Sequence, residues 1–112
     1  MFKDKTYVYR ANIYLEEDSR VTDLSYMFDG CHQFERCGGY VKSPVTTTAG
    51  MFRGCASYSE ADSPSFTVSL PDTILDMSGM FYNIYYLTAC PSCINSNCTK
   101  NVTNMVNMFG HC

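Results

Sequence analysis

Seven cysteines, two histidines and two Asn-x-Thr sequons are the residues of this 112-residue chain whose types and spacing could do chemistry. Cys90 and Cys93 enclose Pro91 and Ser92, the spacing of a redox pair in which one thiolate attacks and the other resolves. Cys98, with His111 or Cys112, could complete a zinc set around that pair. Both signals are weak. No thioredoxin-like strand and helix surround the first, and the second lacks its matching pair of ligands. Asn97-Cys-Thr and Asn101-Val-Thr fit the N-glycosylation acceptor, so Asn97 and Asn101 are the glycosylation candidates, both expected to be exposed.

An odd cysteine total leaves at least one thiol free or paired between subunits. The disulfide candidates are Cys37, Cys90, Cys93, Cys98 and Cys112. Cys93 and Cys98 are close enough to close a small loop, with Cys90 as a competitor. Cys31, Cys55 and Cys112 also fall on an apolar ladder, where a small buried side chain is favoured. If disulfides form, the compartment is oxidising. His32 and His111 have no Ser or Asp companion, and Asp23 and Asp76 share a position that reads as the acidic first turn of a helix. No catalytic constellation emerges. The chain is expected to be non-enzymatic, with no cofactor and no metal.

The elements that position these groups are repeats. Four copies of one pattern recur around Met-Phe, at 21–31, 45–55, 74–84 and 102–112. Their phenylalanines, Phe28, Phe52, Phe81 and Phe109, are 24, 29 and 28 residues apart, a period of stacked supersecondary units. Aligned on Phe, apolar ladders appear. Val21, Val45, Ile74 and Val102 lie seven before it, and Leu24, Thr48, Met77 and Met105 four before. Met27, Met51, Met80 and Met108 lie one before, and Cys31, Cys55, Ile84 and Cys112 three after. This spacing predicts one face of a two-turn helix, capped by Thr22, Thr46 and Thr103 and ended by Gly30, Gly54 and Asn83. Phe34, Tyr58 and Leu87, then Cys37, Ala61 and Cys90, read as inward positions of a short strand. Met27, Phe28, Met51, Phe52, Met80, Phe81, Met108 and Phe109 are the expected core. The fold expected is an α/β repeat: a leucine-rich-repeat-like solenoid of about four turns, with one short helix and one short strand per turn.

The first motif, Val-Thr-Asp-Leu-Ser-Tyr-Met-Phe-Asp-Gly-Cys, and the last, Val-Thr-Asn-Met-Val-Asn-Met-Phe-Gly-His-Cys, resemble the repeat of the BspA-type leucine-rich-repeat surface proteins of bacteria, mycoplasmas and some protists. The resemblance covers residues 21–112. It implies a solenoid displayed at an extracellular or cell surface and engaged in adhesion or protein binding. The strand segments depart from that family, carrying Cys, Pro and Ser in place of a Leu-rich run.

Residues 1–20 fall outside the motif and read as a strand-rich N-terminal cap on the 21–112 repeat region. Met1-Phe2 nevertheless lies in register with the ladder, and Val8 then falls six after that Phe. Eight of the nineteen charged residues lie in this first stretch, leaving a mostly neutral repeat surface. A net charge of −3 without a basic cluster excludes nucleic acid as a partner, and no apolar run could span a bilayer. The chain ends at Cys112 within a motif, which reads either as a piece of a longer array or as an end that stacks head to tail on another subunit into a surface filament. The alternative is a receptor module whose Tyr-rich lateral face recognises a host protein or a glycan.

Overall fold

A computed structural model describes residues 2–5, 9–55, 65–85, 87 and 90–112. Arg10–Leu15 (β1) turns Ile13 inward and Tyr14 to solvent, as a pleated strand must. Arg36–Val41 (β2) buries Cys37 and Val41, and Ser65–Phe66 (β3) buries Phe66. The three form one parallel sheet in the order β1-β2-β3. Ala11 faces Cys37 and Leu15 faces Val41 in the first pair, and Cys37 faces Phe66 in the second. Parallel strands need a crossover. Here the Met-Phe motifs supply it.

The helices expected at those motifs are absent. Among the described residues the one α-helix is Ser96–Thr99 (α1), capped by Asn95. Each motif instead bends through left-handed residues. Tyr26, Gly50, Gly79 and Asn107, two before each Phe, have φ of 57°, 61°, 60° and 56°. Gly30, Gly54, Asn83 and His111, two after it, are left-handed as well. Left-handed backbone costs about 1–2 kcal/mol per non-glycine residue and cannot belong to a right-handed helix. The turn expected at Gly30, Gly54 and Asn83 is real. The one at Tyr26 carries no sequence sign.

Consecutive motifs are hydrogen-bonded to each other. Leu24, Tyr26, Phe28 and Gly30 N–H groups donate to the Thr47, Ala49, Met51 and Arg53 carbonyls at 2.9–3.0 Å. The same four rungs run from Thr48, Gly50, Phe52 and Gly54 to the third motif, and from Met77, Gly79, Phe81 and Asn83 to the fourth. The intervening N–H groups close turns within their own motif, as Met27 to Leu24 and Cys31 to Phe28. Every second donor therefore leaves the motif, and backbone satisfaction comes from the neighbour.

The polar position five before each Phe also changes role. Asp23, Thr47, Asp76 and Asn104 form a parallel bridge ladder, and each side-chain oxygen accepts the N–H two residues on. These are Asx-type turns, not helix-dipole acids. Thr46 and Thr103 hydroxyls reach carbonyls of the preceding motif, Thr22 and Leu75, and so link motifs without capping anything.

Inside, the rings stack. Phe28 to Phe52, Phe52 to Phe81 and Phe81 to Phe109 lie 5.7, 5.6 and 5.5 Å apart with interplanar angles of 2°, 17° and 4°. Phe34 and Phe66 form a second, tilted column against the first, Phe66 sitting 4.5 Å from Phe52. Phe2 extends the first column, 5.4 Å from Phe28 and nearly parallel to it, so its spacing reflects real stacking. Two expected core residues are less covered. Met27 is half-buried, and Phe109, with a ring on one side only among the described residues, is 40% exposed.

The strand ladder shows how a fixed alignment fails. Cys37, nine after its Phe, pairs with Phe66, fourteen after its own. The five extra residues match the longer second period, 29 against 24. Ala61 and Tyr58, the expected partners, lie outside the described residues, as do Met1 and Val8. Leu87 is half-buried and Cys90 exposed. A radius of gyration of 12.8 Å is that of a compact domain of about 100 residues.

Candidate interaction surfaces

All seven cysteines are free thiols in the structure, the disulfide candidates Cys37, Cys90, Cys93, Cys98 and Cys112 among them. Cys31, Cys55 and Cys112 have a hydrogen-bonding task instead. Each donates its thiol to the Phe carbonyl of the preceding unit, Phe2, Phe28 and Phe81, at 3.0–3.1 Å. Cys98, buried at the first turn of α1, donates to the Cys93 carbonyl and accepts the Asn95 N–H, completing the cap of the helix. Cys37 and Cys93 are buried, while Cys90 and Cys112 are exposed.

Burial pushes the Cys37 thiol up to about 12, and raises Cys93 and Cys55 strongly as well. A redox pair needs the opposite, a thiol lowered toward neutrality. Among the described residues no group of three or more His, Cys, Asp or Glu side chains is placed to hold a metal ion. The raised thiols have a consequence for stability. Their folded values exceed the unfolded ones, so the stability they contribute is intact below the ordinary thiol range. It is lost as pH rises through that range toward about 12. Each thiol adds a slope of about 1.4 kcal/mol per pH unit. Urea midpoints should therefore be flat below the thiol range and fall steeply above it, less so in Cys37→Ala.

Asn97 is exposed on α1. Asn101 is exposed too, but its amide donates to the Asp72 carbonyl at 2.8 Å, and the adjacent Lys100 pairs with Asp72. The sequon asparagine therefore ties the end of α1 to the bend before the third motif.

On one side face, Asp29 is almost wholly buried and receives both Nε and Nη2 of Arg53, at 3.0 and 2.9 Å. Lys3 stands 3.8 Å away. Arg53 also lies over the Tyr26 ring at 5.4 Å, and Tyr26 in turn covers Gly50, where an added Cβ would meet the ring at 2.3 Å. These contacts hold Tyr26 in its left-handed turn. Arg53→Ala should destabilise the chain by about 2–3 kcal/mol, less than for a fully enclosed pair because the guanidinium is half exposed. Arg53→Lys, lacking the planar fork, should recover only part of that in urea denaturation. Beside this cluster a groove of about 370 Å³ runs between Tyr26 and Tyr82 over the bare backbone of Gly50 and Gly79.

The two ends of the stack differ. At the last motif the N–H groups of Met105, Asn107, Phe109 and His111 occupy the rung positions, and none has an acceptor among the described residues. Met105 and Val106 beside them are 44% and 66% exposed. At the first motif the Asp23 and Ser25 carbonyls, also rung positions, accept nothing from the described residues, whereas Met27 and Asp29 carbonyls accept from Phe2 and Asp4. Next to the open pair lies an apolar cavity of about 290 Å³ between Ile13 and Leu15 on one side and Val21, Leu24 and Met27 on the other. Donors with apolar side chains stand at one end, acceptors with an apolar hollow at the other.

The chain belongs to the family described as Mycoplasma protein of unknown function, DUF285. That family matches it over residues 1–112. No curated protein and no solved structure matches the chain. The DUF285 assignment covers the strands and all four motifs alike. It attaches no activity to the residues above.

Proposed function

We propose that this DUF285 chain is a non-enzymatic structural or adhesive repeat protein of the cell surface, a short solenoid of the BspA-type leucine-rich-repeat kind. It works through protein contacts, first of all by end-to-end self-assembly. The observation that carries the reading is the motif junction, made three times by the same four backbone rungs; the matching row at Met105, Asn107, Phe109 and His111 has no acceptor among the described residues. Exposed rows of backbone donors are templates for pairing with another chain. Here the row lacks the charged or proline residues that usually blunt an edge, and shows Met105, Val106 and Phe109 instead. Because donor and acceptor ends are different surfaces, the contact is heterologous and need not close. Surface localisation rests on the resemblance of the Met-Phe motif alone.

Sedimentation velocity over a wide concentration series tests this. The expected result is a mass that keeps growing with concentration and reaches no fixed oligomer. A monomer at every concentration would remove self-assembly. The groove between Tyr26 and Tyr82 supports a second reading, a lateral receptor site for a protein or glycan. Its Gly50 and Gly79 floor admits close approach, and its tyrosine walls offer flat rings.

A further inference from the structure

We infer that the groove between Tyr26 and Tyr82 is a binding site for one neutral hexopyranose ring of a glycan. This rests on the lateral-receptor reading and names its ligand class.

The first three motifs build the site. The position two before each Phe carries Tyr26, Gly50 and Gly79 in turn, and the position one after it carries Arg53 and Tyr82 on the second and third motifs. The two glycines leave a floor that the larger side chains wall in. At Gly79 an added Cβ would meet nothing nearer than the Tyr82 Cβ, at 4.0 Å. The volume of about 370 Å³ falls at the lower end of the range for small-ligand sites, about 300–1,000 Å³. Rung-bonded motifs repeat at about 4.8 Å, so those carrying the two rings stand about 10 Å apart, room for a single sugar ring.

The chemistry of the lining selects the ligand. Gly50 and Gly79 N–H groups donate to the Ser78 and Val106 carbonyls at 2.9 Å, and the two glycine carbonyls accept from Arg53 and Tyr82 N–H groups at 3.1 Å. An extended peptide, which binds by adding main-chain hydrogen bonds, therefore finds no free donor on the floor. What the groove offers is ring surface and side-chain polar groups. Tyr26 is 45% exposed. Tyr82 is steadied by Gly110, where a Cβ would meet its ring at 2.7 Å, and by His111, edge-on at 5.2 Å. The electron-rich face of such a ring receives the C–H face of a sugar, and the Ser78 hydroxyl serves as donor or acceptor to a sugar hydroxyl. Arg53 adds donors without net charge, because its Nε and Nη2 hold Asp29 and Nη1 is left over. Among the described residues no other charged side chain lines the groove, and Lys3 lines the neighbouring hollow together with Asp4 and Asp29. The ligand that matches is neutral.

The test follows backbone amide shifts of the full chain by NMR during titration with methyl glucopyranoside, methyl galactopyranoside and methyl mannopyranoside. Methyl glucuronide and a neutral pentapeptide of Gly, Ser and Tyr are the comparisons. At least one neutral glycoside should move the Gly50, Ser78 and Gly79 amides saturably, with the Kd of about 1–10 mM expected for a ligand of about twelve heavy atoms. Methyl glucuronide should bind no more tightly. Gly79→Asn should fill the floor and weaken the sugar by about tenfold or more. Its backbone is acceptable, since Asn107 holds the same motif position at φ 56°, and an unchanged urea midpoint would show that the variant folds. Tighter binding of the glucuronide, or shifts from the pentapeptide in place of the sugars, would overturn the neutral sugar while leaving a lateral receptor site standing. Undiminished sugar binding by Gly79→Asn would overturn its placement in this groove. No shift at these amides from any of the probes would overturn both the sugar and the receptor reading.

Discussion

Phe52→Ala is expected to lower stability by about 3–5 kcal/mol in urea denaturation, the range for a large side chain removed from a packed interior. Phe52 is fully buried and touches four rings: Phe28 at 5.7 Å, Phe34 at 5.9 Å, Phe66 at 4.5 Å and Phe81 at 5.6 Å. Each such pair adds about 0.5–1.5 kcal/mol beyond burial. The site has little means of collapse, because four rungs on either side fix the backbone. Phe109→Ala gives the comparison. That ring meets one other, Phe81, and stands 40% exposed, so its loss should cost roughly 1 kcal/mol. Equal losses at the two positions would mean that the stack does not hold the fold.

Gly39→Ala should be nearly as damaging for a different reason. Gly39 sits in β2 opposite Ile13 of β1, with φ of 95°. A Cβ there would lie 2.0 Å from the Ile13 carbonyl oxygen and 2.8 Å from its nitrogen, so the obstacle is backbone and cannot rotate aside. The alternatives are to part β1 from β2 or to abandon the conformation. Conformational strain of about 1–3 kcal/mol and overpacking of about 1–3 kcal/mol together give roughly 3 kcal/mol. Gly38→Ala, which meets the Asn12 side-chain oxygen at 2.8 Å, should be milder, since a side chain can move. Thermal denaturation of the two variants separates these cases.

Much of the interior was legible because stacking demands that like residues recur. The Phe column, the Met positions before it and the inward Cys31 and Cys55 all follow from aligning the motifs on one residue. The helix was not legible correctly. Apolar spacing alone cannot distinguish a helix face from a chain that bends every two residues toward the same side. The sign that could have decided it is the pair of glycines at Gly50 and Gly79, each in mid-motif where a helix would penalise it. Tyr26 and Asn107 at the same position hid the pattern. Repeated Asp23, Thr47, Asp76 and Asn104 could likewise have been read as side chains that bond the backbone two residues on. Phe66 was missed because the second period is five residues longer, which shifts every later offset. Neither end could be read in detail. The donors at Met105 and Asn107 belong to the backbone, and the register of Phe2 with the ladder gives its spacing but not its stacking on Phe28.

The most direct measurement is residue-resolved amide hydrogen exchange by NMR at low and at high protein concentration. Phe28, Phe52 and Phe81 amides, each bonded to the next motif, should be protected in both. Met105 and Asn107 amides should exchange freely in dilute solution and become protected as concentration rises. Unchanged, rapid exchange at Met105 and Asn107 in concentrated protein would contradict assembly through this edge.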